Sequence, residues 1–195
     1  MIFSALRLRH PATLILLLFS FELEAQSLLL NSGFDTNLDQ WNLGGLVSPV
    51  WDSSDANNNP GSGSALIKNT FPDAFSDEAV LTQCLFDGAG GYELGVHINI
   101  PSGQTRTGSV VIRYFYFANS TTCEGGFSGS GGVLRAAPFD EWVYLAGNPF
   151  NAIIKPTGSI QYVIAIRKTE AGGEFKAYVD NAYLLREVPF KDSFE

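Results

Sequence analysis

Side chains able to carry out chemistry are few in this chain and widely spaced. Of the two histidines, His10 and His97, only His97 lies beyond the N-terminal segment. A serine–histidine–aspartate relay therefore has one candidate base. GFSGS at 126–130 falls short of the G-x-S-x-G nucleophile elbow, because Ser130 stands where the second glycine belongs. No helical pattern follows it. Glu78, Glu93, Glu141 and Glu174 offer carboxylates for glycoside hydrolysis, a chemistry whose acid pairs keep no fixed sequence spacing. None sits in an apolar run that would raise its pKa, and each also reads as a solvated surface charge. GAGGYE at 88–93 and GSGSAL at 61–66 both fail the G-x-G-x-x-G phosphate cradle, and no strand–helix unit surrounds them. These residues point to a protein that binds rather than an enzyme.

The two cysteines, Cys84 and Cys123, lack the C-x-x-C spacing and histidine neighbours of a zinc site. In an exported chain an even count favours a disulfide, and closing a loop of about 40 residues contributes roughly 4 kcal/mol on the chain-entropy account. Export is what the N-terminus indicates. Arg7, Arg9 and His10 precede an apolar run from Ala12 to Phe21, about half the roughly 20 residues needed to span a bilayer. That length suits a signal peptide over residues 1–27, cut after Ala25 or Ser27. A buried N-terminal helix is the competing reading. No later stretch is long enough to cross a membrane as a helix, so a secreted, periplasmic or extracellular protein is expected, without membrane insertion.

At 195 residues, 45% hydrophobic and 16% charged, the chain has the composition of one globular domain. Its net charge is −8, with no clustered basic patch. That argues against nucleic acid and anionic membranes and leaves neutral or cationic ligands, Ca²⁺ among them.

The elements that must position any site read as strands. Tyr92, Leu94, Val96, Ile98 and Ile100 alternate with Glu93, Gly95, His97 and Asn99, the pattern of a half-buried antiparallel strand. VVIRYFYF at 110–117 is rich in β-branched and aromatic residues. Further strands are expected at 44–51, 64–68, 79–86, 141–146, 159–167 and 174–185. DSSDANNNPGSG at 52–63 reads as an exposed loop, as does the Gly/Ser/Thr-rich 119–132 around Cys123. About nine short strands with turns between them predict an all-β antiparallel sandwich or jelly roll. PFKDSFE at 189–195 is expected to be an exposed tail, and it resembles the F-x-D-x-F-E endings of some secreted bacterial proteins.

Asn31-Ser32-Gly33-Phe34-Asp35 with Trp41, and Tyr178-Val179-Asp180-Asn181 with Tyr183-Leu184, resemble the first and last strands of cellulose- and xylan-binding, CenC-like carbohydrate-binding modules. The resemblance spans about residues 28–186 and is weaker between its two ends. It implies a secreted, non-catalytic glycan-binding protein, acting independently or with a separate secreted enzyme. It also implies a structural Ca²⁺ held by Asp35 and Asp180, with loop oxygens near Ser64 and water completing the shell. Asp55, Asn58 and Asn59 are the nearest stand-ins for the third acid often found in the family. Against this, Asp35 also reads as a turn cap and Asp180 as an exposed bulge residue.

Sugar rings stack their C–H faces on aromatic side chains while polar groups bond the hydroxyls. Tyr114 and Tyr116 share a strand face and keep a polar tip, and are preferred over Phe115 and Phe117. Trp51, Phe75, Glu78 and His97 complete the candidate carbohydrate-binding set. Trp41, Tyr92, Trp142 and Tyr162 are expected in the core. The competing class is a structural or adhesive surface protein that contacts protein or envelope material and binds no sugar.

Overall fold

The computed structural model describes residues 26–86, 90–118, 122–136, 139–152 and 158–187. Most of the expected leader and tail, residues 1–25 and 188–195, lies outside them. Among the described residues there is no helix. The strands are β1 (Asn42–Leu43), β2 (Val50–Asp52), β3 (Ser64–Asn69), β4 (Asp77–Leu85), β5 (Gly90–Ile100), β6 (Gly108–Phe117), β7 (Phe127–Ala136), β8 (Phe139–Ala146), β9 (Phe150–Ala152), β10 (Ser159–Lys168) and β11 (Phe175–Arg186). A five-stranded sheet runs β1-β4-β10-β6-β7, and a six-stranded sheet runs β2-β3-β11-β5-β8 with β9 also paired to β5. Every pairing is antiparallel. The architecture is a β-sandwich jelly roll.

Alternation decides what enters the space between the sheets. Tyr92, Leu94, Val96, Ile98 and Ile100 of β5 are all buried there, facing Val110 and Ile112 of β6 and Ile160, Ile164 and Ile166 of β10. Fully burying an aliphatic side chain of this size contributes about 1.5–3 kcal/mol. Tyr162 carries its hydroxyl into the same core and donates it to the Gly95 carbonyl at 2.9 Å, which satisfies the polar tip.

Residues 28–41, expected to open the fold as a strand, form a succession of turns instead. Asn31, Phe34 and Gln40 take positive φ, which a regular strand does not accommodate. Phe34 and Trp41 nevertheless plug the core, their ring centroids 5.4 Å apart. The segment still runs beside β11, with backbone bonds from Leu28 to Leu184 (2.8 Å) and from Ala182 to Ser32 (2.9 Å).

Two other expectations are corrected. Of the strand expected at 44–51 only Val50 and Trp51 are strand, in β2 of the six-stranded sheet; residues 44–49, with Gly45 (φ 94°) and Pro49, instead cross over from β1 in the five-stranded sheet. Residues 127–132 of the loop expected at 119–132 belong to strand β7, paired along the length of β6. Its glycines read as loop because they lack side chains to pack. Here the rings of Tyr116 and Tyr114 fill the places where Cβ atoms of Gly129 and Gly131 would stand. The aromatic partner supplies the packing that glycine lacks.

The Cys84–Cys123 disulfide ties β4 to the segment that leads into β7, and Ser159 of β10 donates to the Thr122 carbonyl beside it at 2.9 Å. Both links serve the five-stranded sheet.

Candidate functional site

On β6 and β10 the outward positions are as telling as the inward ones. Val111, Val163 and Ala165 point away from the main core, yet they are only 5%, 4% and 1% exposed. Residues on the outside of a sheet stay dry only where surrounding side chains rise around them. Phe115 packs on this cluster. Val111 and Phe115 of this cluster line a groove of ≈ 380 Å³ together with Arg113, Arg167 and residues 130–134 of the glycine-rich strand β7.

The charged rim is organised by one acid. Asp77, at the start of β4, lies opposite Arg167 in register, and its carboxylate is bonded by both Arg167 and Arg113. The Arg167 guanidinium holds Asp77 below the usual carboxylate range, against the upward push of partial burial, and Arg113 adds to the lowering. Each guanidinium has five N–H donors in a planar fork, so donors remain beyond those given to Asp77. At the other end Phe127, 60% exposed, touches the rings of Phe115 and Phe117 at 6.3 and 6.2 Å.

The structure scatters the six sequence-derived sugar candidates. Phe75 is 70% exposed, two residues before Asp77, in a loop pinned by its own N–H to the Lys168 carbonyl (2.8 Å). Lys168 and Asn69 hold that loop from beneath, donating to the carbonyls of Phe71 and Ser76. Tyr114 and Tyr116 turn inward, with Tyr114 stacked on Phe150 at 3.5 Å. Burial raises the Tyr114 hydroxyl pKa, and the neighbouring Tyr116 adds to the shift. Glu78 is buried and accepts the Leu46 N–H. Trp51 donates its indole N–H to the Phe34 carbonyl at 2.7 Å. His97 lies on the outward face of the other sheet; its Nδ1 is buried without a hydrogen-bond partner, and burial lowers its pKa.

Sequence reasoning missed Arg113, Phe115 and Arg167. The signal was Arg113: an arginine in an alternating strand takes the wet face, which puts Phe115 outside and Tyr114 inside.

The residues foreseen for calcium come to one neighbourhood, where the first segment, the 53–62 loop and β11 meet. Asp180 is wholly buried, and its carboxylate accepts the Asn181 N–H (2.6 Å) and the Ala56 N–H (2.9 Å). Desolvation pushes its pKa up to about 6; these two N–H groups oppose the rise, and the charges of Asp55 and Asp35 add to it. The Ser62 hydroxyl donates to the Gly33 carbonyl at 3.1 Å and lies 3.5 Å from Asp35 Oδ1. The buried Ser64 hydroxyl has no partner. A buried acid facing two other acids, with an unsatisfied oxygen nearby, suits a hard cation. Against that, no group of three or more His, Cys, Asp or Glu side chains among the described residues is close enough to hold a metal ion.

No protein-family model matches the chain, and no curated protein matches it. Solved structures do. The family 61 module TmCBM61, solved with β-1,4-galactotriose, superposes with a TM-score of 0.54 at 18% identity over 83% of this chain and 99% of its own. The C-terminal family 22 module of Clostridium thermocellum Xyn10B gives 0.57 at 15% identity over 84% of this chain and 96% of its own. The fold is that of a carbohydrate-binding module. An α-L-arabinofuranosidase also matches, with a TM-score of 0.58 at 14% identity, over 83% of this chain but only 26% of the enzyme's length. The module fold thus also occurs as a minor part of a glycoside hydrolase.

Proposed function

We propose that this chain is an exported, non-catalytic polysaccharide-binding protein, and that the groove on the five-stranded sheet takes the sugar chain. The observation that carries this is an outward-facing groove lined by Val111 and Phe115, backed by the buried Val163 and Ala165, with the guanidinium donors of Arg113 and Arg167 in its lining. An aromatic ring beside polar groups that fix orientation is the composition sugar rings require. Arg113 and Arg167 donate to hydroxyls, held in place by Asp77. Phe75 and Phe127 extend the contact surface. A family 61 module of like fold in complex with β-1,4-galactotriose, and a CBM22-1–GH10 pair of modules complexed with xylohexaose that matches over part of its length, support a glycan as ligand. The N-terminal apolar segment and the disulfide support an oxidising, extracytoplasmic location, where a separate secreted enzyme is the natural companion.

Calcium belongs to the same reading. Asp35 and Asp180 would hold the ion, with Ser62, Ser64 and the Gly33 carbonyl as further oxygens. Bound there, it would supply positive charge to a cluster that otherwise repels itself.

Native affinity gels containing xylan, β-glucan or galactan test the reading. Retardation that is lost in Phe115→Ala and Arg167→Met, with melting temperatures maintained, is the expected result. Absence of retardation across the panel would sink it and favour a protein contact, for which Phe127 and Leu134, 60% and 49% exposed beside the groove, would be the anchors.

A further inference from the structure

The outward face of the six-stranded sheet carries a different recess. Trp142, expected in the core, is not there. Val143 and Leu145 take the inward positions of β8, which turns Trp142 and Tyr144 outward. Trp142 and Asn99 form one wall of a cleft of ≈ 400 Å³, and Asn58, Asn59 and Ser54 of the 53–60 loop form the other. The loop is built rather than slack. Asp55 Oδ1 accepts the N–H groups of Asn57 (2.8 Å) and Asn59 (2.7 Å), and Ala56 N–H is anchored on Asp180. Asn58 holds a left-handed φ of 57°, which asparagine tolerates.

Beyond the cleft the face remains aromatic. Tyr144, two residues from Trp142 and so about 6.5 Å along the strand, is 50% exposed. It lies parallel to Tyr183, with centroids 5.8 Å apart and planes at 8°. The Tyr183 ring rests on Gly95, where a Cβ would collide with it.

We propose that this face is a second glycan site, binding a neutral polysaccharide chain with Trp142 as the stacking platform and the asparagine amides bonding hydroxyls. One indole among amides and hydroxyls matches the alternating apolar and polar surface of a sugar ring. The nearby charges, Asp55 and Glu93, are negative, and that selects against acidic glycans. The site does not depend on the groove described above, from which it is separated by the thickness of the sandwich. With both occupied, one molecule joins two polysaccharide chains.

The test is a titration of the ¹⁵N-labelled full chain with xylohexaose and with β-1,4-galactotriose, read by NMR. The reporters are the Trp142 indole N–H and the side-chain amides of Asn58, Asn59 and Asn99 for this face, and the Nε–H groups of Arg113 and Arg167 for the groove. Saturable shifts in the first set with at least one probe are expected. Trp142→Ala should weaken the affinity read from the asparagine side-chain amides roughly tenfold without moving the arginine signals. Asn99→Ala, at a half-buried surface position, provides a second variant whose fold is checked by its melting temperature. Shifts confined to the arginines would overturn the second site and leave the groove reading standing. Shifts in the first set alone would do the reverse, and no shift with either probe would overturn both. An unchanged affinity in Trp142→Ala would also overturn the second site.

Discussion

The two outward faces of this sandwich are built on opposite plans. On the five-stranded sheet the recess has an apolar floor and a charged rim, and its shape comes from regular strands. On the six-stranded sheet the recess has one indole among polar groups, and half of its wall is an irregular loop. The first is stabilised by a covalent link and by arginines shared on Asp77. The second depends on an acid cluster that anchors its loop. A rigid strand floor makes position cheap to specify, whereas a loop wall must be held by bonds of its own.

That contrast can be broken from either side. The largest effect belongs to the disulfide. Replacing Cys84 and Cys123 by serine should cost about 4 kcal/mol on the chain-entropy account, near 10 °C in melting temperature for a domain of this size. It should loosen the β7 side of the groove first. Hydrogen exchange that rises equally on both sheets would show that the faces are not separately supported. Next comes calcium. A site filled at about a hundred times its Kd adds about 2.7 kcal/mol, so millimolar Ca²⁺ should raise the melting temperature by about 5–10 °C relative to EDTA. Asp180→Asn should abolish that rise, with the exchange difference concentrated in the 53–60 loop. A melting temperature indifferent to Ca²⁺ would remove the ion from the account.

Phe115→Ala should cost roughly tenfold in affinity at the groove and nothing at Trp142, as measured by calorimetry with xylohexaose. The smallest effect is pH. Asp77 has its folded pKa lowered by Arg167 and Arg113, so its stabilising contribution is present above its unfolded pKa of about 3.9. That contribution is lost as pH falls through the folded value. The stability difference between the parent and Asp77→Asn should therefore stay flat from pH 8 to 5 and shrink below about pH 4. A difference that shrinks already above pH 5 would mean the arginines do not hold Asp77 as described.

How much of this the sequence disclosed follows from how local each determinant is. The β5 alternation from Tyr92 to Ile100 fixes inside and outside within one strand, so both its core and its outward His97 and Asn99 were readable. The gathering of Asp35 and Asp180 came from resemblance rather than spacing, because residues so far apart meet only through topology. Strand β7 was hidden because glycine has low strand preference when its partner is unknown. Trp142 was misplaced because size and apolarity suggested burial, while the deciding fact was that Val143 and Leu145 claimed the inward positions. Tyr114 and Tyr116 were assigned outward although Arg113 between Ile112 and Tyr114 already implied the opposite phase.

The tyrosines seated on glycines carry a consequence for how this molecule can diverge. Tyr116 over Gly129, Tyr114 over Gly131 and Tyr183 over Gly95 are each a ring and the hollow cast for it. A lineage that enlarges the glycine first meets a collision, and one that shrinks the tyrosine first leaves a void. The two members of each couple are therefore inherited as a unit. In any set of descendants, variation at position 131 should track position 114 more closely than either tracks its neighbours in the chain.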